Sequence, residues 1–263
     1  MDPARWTLHT VEQTISTNTL ARSLVDAGAT GPLVVHAWTQ TSGRGRLARA
    51  WYSPPGGLTA TWVMCSPVAG LARWPLLAGL AVCEACAGLY PEARPGLGLK
   101  WPNDVWLHGG KLAGVLCETI LTAGAHAEPT GTANSHAVLV GIGVNVCCEP
   151  TDLPDGLSRP PAVLCPWPGD AWQARGVVAD VRDAITRALM RLQAAVQDDA
   201  AWGEALDRIR GLDVLPGKLV HLDEGGRPVT GTAAGLGPEG ELLVELGDGA
   251  IRSVRSGELF RVE

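Results

Sequence analysis

Apolar positions recur along this chain at two different spacings, and the switch between them outlines its elements. Val178, Val181, Ile185, Leu189, Leu192 and Val196 step by three and four, which places them on one face of a helix opposite a face that mixes Asp with Arg. A further helix is expected around 201–210. Residues 71–89, rich in Leu and Ala, are long enough for a core helix. Residues 18–27 read as a short helix, with Ser16 or Thr17 available to cap its exposed amides and Gly28 to end it. Shorter runs of β-branched and large residues, bounded by Gly, Pro and Asn, predict strands at 33–38, 58–64, 97–101, 105–107, 113–121 and 137–146. The small, polar residues 122–136 are expected to form an exposed loop that makes the last two strands a hairpin.

After Pro216-Gly217 the texture changes to short apolar runs at 219–222, 229–234, 241–246 and 251–254, separated by glycine clusters. That pattern predicts a small β-barrel, and a boundary near 211–217 divides the chain into units 1–213 and 214–263. Residues 151–170, dominated by Pro and Gly, are expected to form no regular element and to be either a flap or a surface crossing.

With 263 residues the chain can bury a substantial core. Its net charge of −6 argues against broad, sequence-independent nucleic-acid binding, which needs a basic face. No apolar run approaches the roughly 20 residues needed to cross a bilayer, and residues 1–9 lack the pattern of a signal peptide, so a cytoplasmic protein is expected. Seven unevenly scattered cysteines predict reduced thiols, and Cys83 and Cys86, though spaced like a metal or redox pair, fall in the apolar helix and read as core. The histidines show no metal-ligand spacing, and no Gly-x-Ser-x-Gly elbow is present. Of 21 cationic residues 18 are Arg, yet two of the three lysines, Lys100 and Lys111, flank the run Lys100-Trp101-Pro102-Asn103-Asp104. Compact ammonium groups kept there point to an anion site.

Gly43-Arg44-Gly45-Arg46 can bring backbone amides and guanidinium groups to one anion, and Arg49 adds a third charge. Charge-assisted hydrogen bonds to phosphate or carboxylate contribute roughly 1.5–3 kcal/mol each. Without a ligand three such charges repel, so the loop is expected to be mobile when free and closed when occupied. The same spacing also fits a solvated basic turn. Gly43-x-Gly45-x-x-Ala48 superficially matches a dinucleotide fingerprint, but Trp51 and Pro54-Pro55-Gly56-Gly57 follow where a helix would have to open.

Lys100, Asn103, Asp104 and Lys111 are expected to converge at one end of a hairpin. Asn103 could read a polar edge, Asp104 could meet a metal or an incoming amine, and Lys111 could face an oxyanion. Alternatively Asn103 and Asp104 cap the turn, and the lysines pair with Asp104 or Glu118. Ser16-Thr17-Asn18, with Gln40, suits a neutral ligand with a urea-like edge, or a simple helix cap.

Taken in order, Ser16-Thr17-Asn18, Gln40-x-x-Gly43-Arg44-Gly45-Arg46-x-x-Arg49-x-Trp51, Lys100-Trp101-Pro102-Asn103-Asp104, Lys111-Leu112-Ala113-Gly114 and Gly141-Ile142-Gly143-Val144-Asn145-Val146 resemble the biotin protein ligase family. The resemblance spans nearly the whole chain, since Gly231-Thr232-Ala233-Ala234-Gly235 and Gly257-Glu258 look like that family's C-terminal barrel. It implies an α+β fold: a mixed β-sheet catalytic domain packed with helices, of the class II aminoacyl-tRNA-synthetase-like biotin/lipoate ligase type, plus a small SH3-like β-barrel. It also implies a two-step reaction, in which ATP and biotin give biotinyl-5'-AMP and a lysine of a biotin carboxyl carrier protein, the acetyl-CoA carboxylase subunit, then takes the acyl group.

Carried over residue by residue, the resemblance assigns catalysis to Lys111, Arg46 and Asp104. Biotin falls to Ser16, Thr17, Asn18, Gln40, Gly43, Arg44, Lys111 and Gly114, and the nucleotide to Arg46, Arg49, Trp51, Lys100, Asn103 and Asn145. Mg²⁺ is expected to accompany ATP without a dedicated protein cage. One departure is Ile15, where some relatives carry Asp. Fifteen residues precede Ser16, too few for a winged helix-turn-helix, so a ligase without direct nucleic-acid binding is expected. The carrier is expected to pair a strand with an exposed sheet edge, and a homodimer could form the same way. The alternatives are a lipoate protein ligase and a non-catalytic biotin-binding regulator.

Overall fold

The computed structural model describes residues 6–29, 31–120, 135–154 and 160–263. A seven-stranded sheet carries the first unit. Its strands are β1 (Thr7–Thr14), β2 (Leu33–Gln40), β5 (Gly57–Pro67), β6 (Leu97–Lys100), β7 (Asp104–Leu107), β8 (Gly110–Ile120) and β9 (Ser135–Asn145), in the order β1-β2-β5-β9-β8-β7-β6. Of its neighbouring pairs, the edge pair β1–β2 is parallel and the rest are antiparallel. A two-stranded ribbon, β3 (Gly43–Arg44) with β4 (Ala50–Trp51), stands apart in the loop after β2.

Side chains alternate across the strands, so one sheet builds two cores. Leu33, Val35, Val63 and Leu139 face helix α1 (Thr17–Asp26), against Ala21 and Val25. Val34, Trp62, Val138 and Val140 face the opposite side, which is covered by α2 (Trp74–Leu89), α3 (Ala171–Leu192) and α4 (Asp199–Leu212). A 3-10 segment, Val68–Arg73, leads directly into α2, and together they form a helical stretch long and apolar enough to cross a membrane, with mean hydropathy 1.3. This corrects the expectation that no such run exists; Arg73 interrupts the apolar letters without breaking the helix. Two thirds of that stretch is buried, as for the central helix of a core. Cys83 and Cys86 lie inside it, and burial pushes the Cys86 thiol up to about 12, as expected of core sulfur.

The second unit is an antiparallel sheet of β10 (Leu219–Asp223), β11 (Pro228–Leu236), β12 (Leu242–Glu245), β13 (Ile251–Val254) and β14 (Glu258–Val262), in the order β13-β12-β11-β10-β14, in keeping with an SH3-like domain. It is keyed to the first unit by indole donors: Trp101 Nε1 donates to Gly240 O (3.1 Å) and Trp202 Nε1 to Pro238 O (2.8 Å).

Several expectations need correction. β1 and β14 are absent from the predicted strands. The loop expected at 122–136 lies, up to 134, outside the described residues, while Ser135 and His136 belong to β9. The α3 pattern ends at Leu192, and Val196 sits in a 3-10 turn that follows. In the Pro/Gly-rich stretch, residues 155–159 lie outside the described residues, and 160–170 holds no helix or strand, as expected, although its start is tied down by backbone hydrogen bonds. Ala162 N donates to Lys111 O (2.9 Å), Leu164 N to Asn145 O (3.0 Å) and Cys165 N to Val146 O (2.9 Å), so 160–165 is laid along the start of β8 and the end of β9.

Candidate active site

A cleft of about 250 Å³ opens on the α1 face of the sheet, beyond the N-terminus of α1. Its floor is glycine. Gly114 pairs with Gly143 across β8 and β9, and Gly141 stands two residues away on the same face. Gly141 and Gly143 must lack side chains because others lie across them, and at Gly114 the Trp51 ring would stand 3.2 Å from an added Cβ. A Cβ at Gly143 would sit 2.2 Å from Trp51 Cε2, and one at Gly141 would sit 2.4 Å from Asn18 Oδ1.

At one end the lining is neutral and buried: Ser16, Thr17 and Asn18 are each only 4% exposed. The helix is capped, but not as expected. Neither Ser16 nor Thr17 caps it; Gln40 Oε1, arriving from the end of β2, accepts from Thr17 N (2.8 Å) and lies 3.2 Å from Thr17 Oγ1. Ser16 lines the cleft without a side-chain capping bond. Thr61 on β5 donates to Asn18 Oδ1 (2.6 Å), and Asn18 Nδ2 donates to Glu118 Oε2 (2.7 Å).

At the other end the lining is charged. Lys111 Nζ lies 2.7 Å from Asp104 Oδ1 and 5.7 Å from the centre of the Trp51 ring, while Lys100 Nζ is 3.8 Å from Asp104 Oδ2 and donates to Leu259 O (3.3 Å). The two lysines therefore converge on Asp104 and not on Glu118. Asn103 does not merely cap its turn: its Nδ2 donates to Val115 O (2.7 Å) and its Oδ1 accepts from Arg46 (3.4 Å). Asn145 lines the cleft, but its Nδ2 is committed to Lys111 O (3.2 Å) and Ala162 O (3.1 Å), holding the start of β8 against the 160–165 segment.

Each arginine of the basic loop has its own acceptor. Arg44 donates to Thr19 Oγ1 (3.1 Å), Arg46 donates to Gly257 O (2.9 Å), and Arg49 pairs with Glu258. Burial pulls the Arg46 pKa below its ordinary value, an effect that the Asp104 charge opposes. Leu47 and Ala48 hold the loop's tip in the left-handed region, at φ 54° and 57°.

Every expected site residue except Gly43 lines this one cleft. Gly43 supports it from below: a Cβ there would lie 2.5 Å from Trp51 O, so glycine is what lets β3 approach β4. Sequence reasoning missed Glu258 and Leu259, the second unit's contribution to the lining, and missed Glu118 behind Asn18. The Gly257-Glu258 pair is visible in the sequence only as part of a resemblance.

This chain belongs to the biotin/lipoate A/B protein ligase family, whose model matches residues 10–145. Within it, residues 217–262 match the biotin protein ligase C terminal domain. The chain is 32% identical to the biotin–[acetyl-CoA-carboxylase] ligase of Mycobacterium tuberculosis (strain ATCC 25618 / H37Rv), over 91% of this chain and 84% of that protein. It is 29% identical to the bifunctional ligase/repressor BirA of Bacillus subtilis (strain 168), over 93% of this chain and 70% of that protein. Among solved structures it is similar to biotin protein ligase from Aquifex aeolicus in complex with biotin and ATP, at 26% identity and a TM-score of 0.73, covering 98% of both chains.

Proposed function

We propose that this cleft joins biotin to ATP and then hands the acyl group to a protein lysine. The protein is an ATP-dependent biotin–[acetyl-CoA-carboxylase] ligase, with its catalytic unit in 1–213 and its C-terminal unit in 214–263. The observation that carries the reading is the division of a single cleft into a buried neutral end and a cationic end, joined by a glycine floor. Biotin matches that division: a neutral ureido ring at one extremity and a carboxylate at the other.

In the first step a biotin carboxylate oxygen attacks the α-phosphorus of ATP, an O–P bond forms, and pyrophosphate leaves. Charge builds on the non-bridging oxygens, and Lys111, beside the floor at Gly114, neutralises it. Arg46 and Arg49 hold the nucleotide phosphates, Trp51 offers an aromatic face, and Lys100, Asn103 and Asn145 line the nucleotide side, while Gly43 and Arg44 shape the biotin side. In the second step the neutral ε-amine of the acceptor lysine attacks the acyl carbonyl and AMP departs. Asp104, now held by Lys111, steers that amine. Mg²⁺ would arrive on the phosphates of ATP. The two carboxylates that line the cleft, Asp104 and Glu258, are both paired with cations and make no ligand set.

The acceptor is a biotin carboxyl carrier protein of acetyl-CoA carboxylase in the cytoplasm, and the exposed edge strand β1 is available to pair with it or with a second copy. Incubation with ATP, biotin and a carrier domain, followed by mass spectrometry of the carrier, should show one biotinyl addition. Pyrophosphate exchange driven by lipoate and not by biotin would favour the lipoate ligase reading, and biotin binding without exchange would favour a regulator.

A further inference from the structure

We infer that Glu118 decides which end of the Asn18 carboxamide faces the cleft, making that position a hydrogen-bond acceptor for a ligand N–H. The inference rests on the reading of the ligand as biotin, whose ureido ring carries two such N–H groups. An asparagine amide has nearly the same shape either way round, so only its partners fix it. On one side of Asn18 stand Glu118 Oε2, at 2.7 Å from Nδ2, and the carbonyl oxygen of Leu116, at 3.4 Å. An ionised carboxylate and a carbonyl can only accept, so the NH₂ end must point at them. On the other side Thr61 donates to Oδ1 at 2.6 Å, but a hydroxyl could equally accept, so Thr61 does not settle the direction. Glu118, with the help of Leu116 O, does.

The oxygen end is thereby delivered over Gly141, which lines the cleft. Asn18 is 4% exposed, so water cannot compensate a reversed amide. Gln40 is fixed by the same logic in the opposite sense: its Oε1 takes the Thr17 amide of the helix N-terminus, so Nε2, 3.5 Å from Ser53 Oγ, is the donor end on a residue that lines the cleft. One donor and one acceptor, each oriented from behind, match the C=O and N–H of a cyclic urea. Glu118 does not itself line the cleft; it acts through Asn18 as a positioning residue.

The test is isothermal titration of biotin into the wild-type protein, Glu118→Gln, Asn18→Asp and the double variant, alongside steady-state kinetics in ATP. In Glu118→Gln the introduced amide can donate to Asn18 and so lets the asparagine turn round; biotin Kd should rise about tenfold or more, with ATP KM and kcat at saturating biotin within about twofold of wild type. Asn18→Asp alone sets two carboxylates face to face and should weaken binding at least as much. In the double variant the introduced glutamine donates to the introduced aspartate, an acceptor again faces the cleft, and Kd should return to within about threefold of wild type. Glu118→Asp keeps an acceptor-only group and should bind better than Glu118→Gln even if both lose stability. Unchanged affinity in Glu118→Gln, parallel loss in ATP KM and kcat, a double variant no better than the single ones, or Glu118→Asp binding more weakly than Glu118→Gln would each overturn the inference. A wild-type protein that fails to bind biotin would instead sink the functional reading on which it stands.

Discussion

The two ends of the cleft are stabilised in opposite ways. At the neutral end the amides that face the ligand are already held from behind: Gln40 by a helix amide, Asn18 by Glu118 and Thr61, at a surface with little exposure. At the charged end the cations are also satisfied, but by anions and carbonyls of the protein that line the cleft or adjoin it: Asp104 for Lys111, Glu258 for Arg49, Gly257 O for Arg46. On the proposed reading a ureido ring would find a finished template, whereas a nucleotide would have to displace internal partners. Orientation is therefore built in where the ligand is neutral, and exchange of partners is built in where charge changes during reaction.

That contrast is tested most severely at Lys111, a cation set between the glycine floor and Asp104. Lys111→Ala should lower the rate of adenylate formation by roughly a thousandfold, the scale of losing one preorganised charge at a reacting phosphate, while biotin Kd, which loses one carboxylate contact, rises only about tenfold. Pyrophosphate exchange and direct biotin titration read the two quantities separately. Equal losses in both would mean that the ends are not independent, and transfer at the wild-type rate would remove Lys111 from the mechanism.

The neutral end has a vulnerability of its own in the strand that supports it. β2 ends in Gln40 and carries His36, wholly buried, whose Nδ1 lies 3.3 Å from Arg182 and whose Nε2 has no partner among the described residues. Burial first, then the charges of Arg182 and Arg175, push its pKa down from 6.5 to about 4. Above pH 6.5 the ring is neutral in both folded and unfolded chains. Between 6.5 and about 4 the unfolded chain takes up the proton and the folded one does not, so stability falls as pH falls, by about 3 kcal/mol in all, and below about 4 this group adds no further loss. Urea denaturation across that range should show a shallower slope of stability against pH for His36→Gln than for wild type, and identical slopes would assign the acid sensitivity elsewhere.

How far the chain can be read from its sequence follows the same physical divide. Elements with a buried face announce themselves: the three- and four-residue steps of α3 and the apolar runs of β5 and β9 need partners on one or both faces. β1, TLHTVEQT, does not, because an edge strand that is mostly exposed has no apolar alternation to display. β14 is short and at an edge of its own sheet, and hides for the same reason. The site residues are legible where function needs an unusual local composition, as in Gly43-Arg44-Gly45-Arg46. They are not where it needs register: Asn18 and Glu118 are 100 residues apart, and Arg46 and Gly257 are 211 apart, distances that no local pattern encodes. The glycine floor shows in the sequence as a motif without a purpose, since an absent side chain explains itself only when Trp51 and Asn18 are seen lying across it.

The smallest expected effect bears most directly on whether Glu258 is a stand-in for phosphate. Arg49 is 64% exposed and Glu258 24%, so their pairing is screened, and its net contribution is within about 1 kcal/mol. If nucleotide phosphate must replace Glu258 at Arg49, then Glu258→Gln removes a competitor, and ATP KM should fall by up to about fivefold while biotin Kd stays the same. Raising ionic strength weakens the internal pair and the phosphate contact alike, so the difference between wild type and variant should shrink toward zero with added salt. An ATP KM that rises in Glu258→Gln would reverse the sign of the argument: the second unit would then be holding Arg49 in its working position, and the charged end, like the neutral one, would be a finished template.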